Sequence, residues 1–549
     1  MAAPFWPKGL SPHLSVPQTS VYYNLEVSAT RFPEKDAVVF YDTRISYRAL
    51  RQDVDRLAGF LQRQCGIGRG DRVLLYMQNS PQFIVAYYAI LRADAVVVPV
   101  SPGSVTPELA GYIADSGAEV ALVGQELFPQ IQPHIGTTSL KNVIVAAYSD
   151  YTKTTDARVL DFVKEPRRAL SGAGVTLWTD ALAADLAPGE HRAGPDDVCV
   201  MPYTSGTTGK PKGCVHLHRS VMMTAATHNS WLGMWPDTVV LAVLPFFHVT
   251  GMQTGMNAPI LCGNTIVLLA RWHREIAAEM VERYRVSAWT NIATMVIDFL
   301  MNPKVGDYDL SSIACIGGGG AAMPEAIAKK LQDVCGLTYV EGYGLTETIA
   351  PTHMNPPARP KAQCLGIPIF DTDVRVIDPE TLVELGPNEV GEIVCRGPQV
   401  FQGYWQNPQA TEEAFIDIDG KRFFRTGDLG RVDDEGYYFL VDRLKRMINA
   451  AGFKIWPAEV EATLYQNPDI QQVCVVRTQD EYRGEAAKAI VVLKPERRGQ
   501  VTGEDIIKWC EGRMDKRKWP RTVEFRESLP MSPTGKVQWR VLQEESALP

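Results

Sequence analysis

The sequence predicts a large α/β protein with parallel sheets covered by helices, followed by a smaller α+β unit. Its 549 residues are too many for one hydrophobic core, so two or more domains are expected. Short apolar runs alternate with amphipathic helical segments in the first part of the chain, which is typical of parallel βαβ units. After Gly366 the pattern changes to short strands separated by turn residues.

The first helix is predicted to begin after Ser46, a suitable N-cap, because apolar residues then recur at helical spacing. These residues are Leu50, Val54, Leu57, Ala58 and Leu61. Strand 73–76, helix 82–91 and strand 95–100 continue the alternation. Further buried strands are predicted at 198–201, 239–244, 265–269, 313–316 and 337–340, whereas the mixed polar stretch 145–195 predicts little.

The second part of the chain is predicted to contain a β-rich subdomain and a compact α+β unit. Strands at 374–377, 392–396 and 437–440 form the subdomain. Beyond Asp442, a helix at 457–464, strands at 470–477 and 487–493 and a helix at 503–514 form the unit.

Composition excludes several classes of protein. The net charge of −8 provides no basic footprint for nucleic acid. The ten cysteines form no C-x-x-C pair, which argues against zinc and disulfides and fits a reducing cytoplasm.

No signal peptide is apparent, and the most apolar stretch, 83–100, is too interrupted to span a bilayer. The sequence therefore predicts a cytoplasmic protein without an integral membrane segment. Weak peripheral membrane contact stays open, as does the choice between monomer and homodimer.

The most informative segment reads Tyr-Thr-Ser-Gly-Thr-Thr-Gly-Lys-Pro-Lys-Gly, from Tyr203 to Gly213. Glycines admit a close backbone approach, and hydroxyls, backbone N–H groups and lysines donate to phosphate oxygens. It is not a Walker A loop, since Gly206 and Gly209 are too close together. A flexible polar linker is the alternative. The candidate phosphate-binding residues are Thr204, Ser205, Gly206, Thr207, Thr208 and Lys212.

This segment resembles the phosphate-binding signature of the adenylate-forming superfamily, which includes acyl-CoA synthetases, aryl-CoA ligases, luciferases and peptide-synthetase adenylation domains. Four further segments resemble that family's motifs, in the family's order, so the resemblance covers nearly the whole chain. It implies an adenylation domain at 1–442, a hinge at 443–446 centred on Lys445, and a mobile C-terminal domain at 447–549. It also implies ATP, Mg²⁺ and coenzyme A as cofactors, and activation of a carboxylic acid as acyl-AMP before its transfer to CoA.

The second motif is Glu-Gly-Tyr-Gly-Leu-Thr-Glu-Thr, from Glu341 to Thr348. The resemblance implies that Tyr343 packs on adenine, Thr346 contacts the α-phosphate and Glu347 binds Mg²⁺, with the Thr204 hydroxyl completing the metal shell. Mg²⁺ favours one or two carboxylates together with phosphate oxygens. A turn with an exposed glutamate is the alternative. Glu341, Gly342 and Gly344 are further candidate nucleotide-binding residues.

Two motifs in the second part of the chain supply the remaining nucleotide and catalytic candidates. Thr426-Gly427-Asp428-Leu429-Gly430 resembles the ribose-binding motif, in which Asp428 accepts both ribose hydroxyls and Arg443 contacts the ribose or phosphate. Pro530 to Lys536 resembles the motif of the catalytic lysine. Lys536 would stabilise negative charge between the carboxylate and the α-phosphate. A solvated tail lysine is the alternative.

The segment Pro245 to Gly251 resembles the family's acid-pocket motif, in which His248 gates the channel between acid and thiol. A satisfied core histidine is the alternative, and a histidine here argues against an α-amino acid substrate. The candidate pocket residues are apolar or small, with no cation for a second carboxylate: His248, Thr250, Met252, Trp289, Thr294, Gly318 and Gly319. We therefore predict a monocarboxylic acid with an apolar tail, most simply a medium- or long-chain fatty acid. Aryl and alicyclic acids are the alternatives.

The glycine run at 317–320 fits G-x-G-x-x-A together with Ala321 and Ala322, so a nicotinamide oxidoreductase stays an alternative class. A non-catalytic nucleotide binder is another. The resemblance instead implies a turn in which Gly319 and Ala321 pack against adenine and glycines widen the acid pocket.

The segment 449–457 departs from one branch of the family. Plant aryl-CoA ligases and luciferases carry lysines near the positions of Asn449 and Ala451, and these lysines are absent here. The residue pattern Gly-Phe-Lys-x-Trp-Pro is more similar to that of bacterial fatty acyl-CoA ligases. Gly452 would let the pantetheine arm of CoA pass.

Overall fold

The computed structural model describes residues 5–153, 158–204, 211–320, 322–450, 453–480, 483–531 and 537–547. The chain forms two compact units. The first comprises Met1–Asp373 and Cys395–Phe424, and the second comprises Val374–Val394 and Arg425–Pro549. These two units are defined by how compactly their residues pack, which does not indicate where the chain bends. The hinge predicted at 443–446 therefore stays a prediction.

The first unit contains a nine-stranded sheet whose central strands are parallel. Antiparallel strands close both of its edges. In spatial order its strands are Ile367–Pro368, Ala350–Met354, Val340–Leu345, Cys315–Gly318, Ala288–Asn291, Val239–Ala242, Thr265–Leu268, Asp36–Phe40 and Thr43–Ser46.

A second sheet has seven strands, which are parallel except at one edge. There, strand His216–Leu217 pairs antiparallel with strand Val198–Val200. In spatial order its strands are His216–Leu217, Val198–Val200, Val96–Pro99, Arg72–Tyr76, Val120–Gly124, Asn142–Ala146 and Val175–Leu177. Two short hairpins complete the unit. They pair Tyr203–Thr204 with Lys212–Gly213, and Phe415–Ile418 with the start of Lys421–Val432.

Helices cover these sheets because their apolar stripes need a partner surface. In chain order they are Tyr22–Arg31, Tyr47–Arg63, Pro81–Arg92, Thr106–Ser116, Phe128–Ile131, Asp161–Lys164, Trp178–Ala183, His218–Leu232, Val249–Met252, Ala258–Cys262, Arg274–Tyr284, Ala293–Leu300, Glu325–Cys335 and Pro408–Glu413. A π-helical stretch, Gln253–Asn257, joins two of them.

The second unit is α+β. The strands Asp373–Ile377, Gly391–Arg396, Lys421–Val432 and Tyr438–Arg443 have most of their residues in it. Its other sheet contains Phe453–Ile455, Ile448–Ala450, Gly484–Leu493, Ile470–Asp480 and Thr522–Phe525. Helices Pro457–Leu464, Gly503–Trp509 and Trp539–Ala547 belong to the same unit.

The predicted α/β class with parallel sheets is confirmed. Ser46 caps its helix by accepting a hydrogen bond from the Ala49 N–H at 3.2 Å. Two predicted strands were displaced: 313–316 is observed at Cys315–Gly318, and 337–340 at Val340–Leu345. In both cases the strand extends into a glycine motif, because those glycines pair with neighbouring backbone. The helix predicted at 503–514 ends at Trp509. The stretch 145–195, which predicted little, contributes Val175–Leu177 and Trp178–Ala183.

All ten cysteines lie among the described residues and are free thiols. Within the described ranges, none of the helices combines the length and the apolar character that crossing a bilayer requires.

Candidate active site

The predicted acid and adenine motifs follow three parallel strands of the nine-stranded sheet, two of which are neighbours. Val239–Ala242 leads to His248, Cys315–Gly318 ends in the glycine run, and Val340–Leu345 carries Tyr343. The carboxyl ends of parallel strands share one sheet edge, which is where open α/β sheets bind ligands. The structure therefore brings these motifs to a common edge.

The glycine run is required by close packing of backbone. A Cβ added to Gly318 would lie 1.8 Å from the Asn291 carbonyl oxygen, and one on Gly319 would lie 2.3 Å from that of Gly342. The space that a side chain would occupy is thus already filled, so the absence of these Cβ atoms does not widen a pocket. Gly317 and Gly318 also lie within a strand rather than at a turn that opens a helix, since the next helix begins at Glu325. This placement disfavours the dinucleotide alternative.

Strand Val340–Leu345 presents Tyr343 beside a buried neutral histidine. The rings of Tyr343 and His353 have centroids 5.6 Å apart, and burial lowers the pKa of His353 to about 3. Two residues earlier in the chain, the buried Glu341 carboxyl group accepts a hydrogen bond from the Gln363 N–H at 3.0 Å. The Asn355 amide and backbone N–H both donate to the Glu341 carbonyl, at 3.1 and 2.9 Å. Asn355 was not predicted, and it fixes the backbone beneath the adenine motif.

Glu347 lies in a 3₁₀ turn, Thr346–Thr348, that is held by its own side chains. The Thr348 hydroxyl donates to the Ala350 carbonyl at 2.8 Å and accepts from the Leu345 N–H at 2.9 Å. The two residues that follow, Ile349 and Ala350, have φ values of 44° and 86°. Positive φ is unfavourable for a β-branched residue, and such strain concentrates at functional sites.

The Glu347 carboxylate is only 9% exposed, and it accepts a hydrogen bond from the Tyr404 hydroxyl at 2.9 Å. Burial and the adjacent carboxylate raise the pKa of Tyr404, so this tyrosine stays a donor. The Lys212 ammonium lies 4.7 Å from the centroid of the Tyr404 ring. Tyr404, which was not predicted, thus contacts two predicted site residues, Lys212 and Glu347.

Backbone hydrogen bonds hold Tyr404 in place. The Trp405 N–H donates to the Gly213 carbonyl at 2.8 Å, and the Val215 N–H donates to the Gly403 carbonyl at 3.0 Å. Strand Lys212–Gly213 and the residues after it thus pair with two segments: with Tyr203–Thr204 in the hairpin, and with segment 402–405. Tyr404 lies nearly sixty residues from Glu347 in the sequence, so no local signal predicted their contact.

His216 holds the other side of the turn. Its Nε2 lies 2.7 Å from the Thr346 carbonyl oxygen. Burial lowers the pKa of His216 to about 4, so the ring is neutral near pH 7 and its Nε2–H donates to that carbonyl. His216 was not predicted. Thr346 and Glu347 are thereby held by contacts from residues that are distant in the sequence.

The donor set suits a divalent cation shared with phosphates. Among the described residues no group of three or more histidine, cysteine or carboxylate side chains could enclose a metal. Mg²⁺, however, prefers one or two carboxylates plus substrate phosphate oxygens to an all-protein cage. One buried carboxylate, Glu347, together with the half-buried Thr204 beside the phosphate loop, fits that preference.

The predicted acid-pocket residues occupy different environments. His248 caps helix Val249–Met252 by accepting from the Thr250 N–H at 3.3 Å, and both residues are half-buried. Met252 and Trp289 are fully buried in the main hydrophobic core, where the indole of Trp289 stacks on Trp272 at 5.5 Å. Thr294 is exposed. Both side chains are packed among core residues, so their role in binding stays a prediction.

In the second unit, the predicted ribose carboxylate is buried and paired. Asp428 is 2% exposed, and its Oδ1 lies 3.0 Å from the Arg443 Nε. The preceding residues of the same strand are held by Glu392, which accepts hydrogen bonds from the Gly427 N–H and the Arg425 guanidinium. Glu392 is a further positioning residue that the sequence did not predict.

Lys445, the predicted hinge residue, is exposed between two anchored neighbours. Asp442 accepts from the Ala458 N–H at 2.6 Å, at the start of helix Pro457–Leu464, and Arg446 pairs with Glu461 of the same helix. Several predicted residues lie outside the described ranges: Ser205, Gly206, Thr207, Thr208, Ala321, Gly452 and Lys536.

Comparison with known families identifies the class of protein. The family model "AMP-binding enzyme" matches residues 25–405, and "AMP-binding enzyme C-terminal domain" matches residues 459–536. The chain therefore belongs to the AMP-binding enzyme family, and the predicted resemblance is confirmed.

Individual relatives are similar over nearly their whole length. A long-chain-fatty-acid–CoA ligase of Bacillus subtilis is 32% identical, over 98% of this chain and 97% of the relative. A feruloyl-CoA synthase of an Amycolatopsis species is also 32% identical, over 92% and 94%. The crystal structure of ATP-bound MatB from Rhodopseudomonas palustris is 25% identical, with a TM-score of 0.84 over 96% of this chain and 99% of that one.

The environment of Glu341 predicts a pH-dependent stability. Burial raises the pKa of Glu341 to about 7, above the usual value near 4.5, so folding favours its protonated form. The stability that protonation contributes is full below about pH 4.5 and is lost as the pH rises through 7. Glu341→Gln mimics the protonated acid and keeps an acceptor for Gln363. We expect this variant to gain stability relative to wild type between pH 5 and 8, by at most about 3 kcal/mol.

Thermal unfolding of both proteins at the two pH values checks this. Because the chain has two compact units, the transition of the first unit is the one compared. If wild type and Glu341→Gln lost the same stability between pH 5 and 8, the raised pKa assigned to Glu341 would be contradicted.

Proposed function

We propose that this chain joins a medium- or long-chain fatty acid to coenzyme A, using ATP. The chain is an AMP-forming acid–CoA ligase, and the observation that carries this is its match to the family and to such ligases over nearly its full length. A fatty acid is favoured because the predicted pocket residues are apolar or small and include no cation for a second carboxylate. The feruloyl-CoA synthase is as similar as the fatty-acid ligase, so an aryl acid is the second candidate.

The reaction has two steps. A carboxylate oxygen of the acid attacks the α-phosphorus of ATP, the bond to pyrophosphate breaks, and acyl-AMP forms. The thiol of CoA then attacks the acyl carbonyl, AMP leaves, and the thiol proton passes to solvent. Phosphoryl chemistry of this kind depends on positioning and on neutralisation of charge rather than on covalent help from the protein.

We assign the nucleotide to residues of the motifs. Tyr343 stacks on adenine, Asp428 accepts the ribose hydroxyls, and Thr346 contacts the α-phosphate. The phosphate loop and Lys212 bind the outgoing phosphates. Glu347 and Thr204 would hold Mg²⁺, which supplies neutralisation of phosphate charge when bound.

The remaining assignments concern the two half-reactions. Lys536 stabilises the charge that develops as the carboxylate attacks the phosphate. Gly452 lets the pantetheine arm pass in the second step, and His248 gates the channel between acid and thiol. Rotation of the C-terminal domain about Lys445 would present Lys536 and Gly452 in turn, and such motions often limit turnover.

An acid panel tests the substrate. Pyrophosphate and AMP release are measured with ATP, Mg²⁺ and CoA over saturated acids from acetate to long chains, with a dicarboxylate, cinnamates and an alicyclic acid included. We expect kcat/KM to rise with chain length and to be highest for a medium or long chain. An optimum at acetate or at the dicarboxylate would contradict the apolar-tail assignment. An optimum among the cinnamates would select the aryl alternative.

Separate half-reaction assays test the division of labour. We expect Lys536→Ala to slow acyl-adenylate formation by about 10²–10³-fold, the usual cost of losing a charge-stabilising donor, while supplied acyl-adenylate still reacts with CoA. Lys445→Pro restricts the backbone at the proposed hinge and should slow the second step more than the first. Lys508→Ala, an exposed lysine of the second unit, is the control. Equal slowing of both steps by Lys536→Ala would remove the basis of the assignment.

A further inference from the structure

A π-helical stretch interrupts the helix that begins at the acid motif. His248 caps the helix, Val249–Met252 is α-helical, Gln253–Asn257 is π-helical, and Ala258–Cys262 returns to the α form. Single π turns within α-helices are rare and occur frequently at functional sites. This one begins five residues beyond the predicted gate.

Gln253, the first residue of the π stretch, is fully buried. Neither its Oε1 nor its Nε2 has a hydrogen-bond partner among the described residues. A buried amide without partners is costly, and native structures retain such a group where it has a further role.

The orientation of Gln253 follows from its neighbours on the helix. A Cβ on Gly251 would lie 2.3 Å from the Pro245 carbonyl oxygen, and one on Gly255 would lie 3.0 Å from the ring of Phe246. These two residues therefore press against the segment that leads to His248. Gln253 lies two residues from each, so its side chain leaves the opposite face of the helix.

The next residue on that face, Asn257, is a buried amide whose hydrogen bonds are formed with neighbouring side chains. Asn257 accepts a hydrogen bond from the Tyr88 hydroxyl at 3.0 Å and donates to that of Tyr87 at 3.2 Å. Gln253 is one turn closer to His248 and has no such partners among the described residues.

Unpartnered hydroxyls lie on the helix that packs against the π stretch. Ser220 and Thr227 of helix His218–Leu232 are fully buried, and their hydroxyl oxygens have no partner within the described part of the chain. They are two turns apart and so share a face of that helix. Buried polar groups without a described partner are thus present on both packed helices.

We propose that Gln253 determines substrate specificity by hydrogen-bonding a hydroxyl or carbonyl group on the tail of the acid. This rests on the proposed function, in which the carboxylate end of the acid lies near His248. Five residues of helix place Gln253 about 7 Å further along the axis than His248. The favoured acid is therefore an apolar monocarboxylic acid that carries one hydrogen-bonding group at a distance from the carboxylate, rather than a plain hydrocarbon chain.

The test compares matched acids on wild type and Gln253→Met. The substrates are one saturated fatty acid, the same chain with a hydroxyl at each successive position, and cinnamate with its para-hydroxylated form. We expect wild type to favour one hydroxylated acid over its parent by at least about tenfold in kcat/KM, since a site built to bind a hydroxyl rejects the analogue without it. Gln253→Met, which keeps the volume but removes the amide, should abolish or reverse that preference.

Gln125→Met is the control, because Gln125 is a buried glutamine whose amide donates to the Pro166 carbonyl and accepts from the Arg168 N–H. It should leave the substrate preference unchanged and lower the melting temperature. Gln253→Met should preserve or raise the melting temperature, since it removes an unsatisfied amide. A wild-type enzyme that prefers the unsubstituted acid throughout, or a preference unchanged in Gln253→Met, would overturn the inference alone. Failure of every acid to yield AMP would overturn both it and the proposed function.

Discussion

The pairing of segment 213–215 with segment 402–405 is the constraint on which the candidate active site of the first unit depends. Hydrogen bonds of 2.8 to 3.0 Å join the two backbones. This pairing fixes the strand Lys212–Gly213, which follows the predicted phosphate loop, and, through Tyr404, one oxygen of the Glu347 carboxyl group. The Phe401 N–H also donates to the Glu347 carbonyl at 2.8 Å, so the same segment holds both the backbone and the side chain of that residue.

This arrangement holds the Glu347 carboxyl group in a nearly dry environment. A buried polar group needs hydrogen-bond partners, and the Tyr404 hydroxyl donates one to Glu347 without adding charge. Burial and the neighbouring Glu347 raise the pKa values of Cys214 and Tyr404, so these groups remain neutral. The ammonium of Lys212 lies over the Tyr404 ring. The described part of the site therefore combines a carboxyl group, a lysine and neutral donors, which suits a phosphate-bound cation.

The features that could be predicted from the sequence are those that depend on local patterns of residues. The helix after Ser46, most of the strands and the order of the motifs were predictable because hydrophobic spacing and glycine content are local properties. The displaced strands at Cys315–Gly318 and Val340–Leu345 show the limit of that reasoning. Glycine usually weakens a strand, but here adjacent backbones approach so closely that only glycine fits, and this is a tertiary requirement.

The residues that the sequence missed act through contacts distant in the chain. Tyr404, His216, Asn355 and Glu392 each hold a motif from another element, and none of them belongs to a recognisable pattern. Gln253 is a different case, because it lies beside a predicted motif but has the composition of an ordinary helix residue. That its amide has no hydrogen-bond partner among the described residues is a property of the tertiary structure and leaves no trace in the sequence.

The dependence of activity on Mg²⁺ in Tyr404→Phe tests the central claim most directly. If Tyr404 orients Glu347 toward a metal, its loss should raise the Mg²⁺ concentration for half-maximal acyl-adenylate formation by about tenfold, as expected for a residue that orients a metal ligand, and should leave the KM for the acid unchanged. The matched control is Tyr148→Phe, because Tyr148 also donates to a glutamate, Glu126, at 2.9 Å, away from the motifs. An unchanged Mg²⁺ requirement in Tyr404→Phe, or an equal change in Tyr148→Phe, would contradict the account.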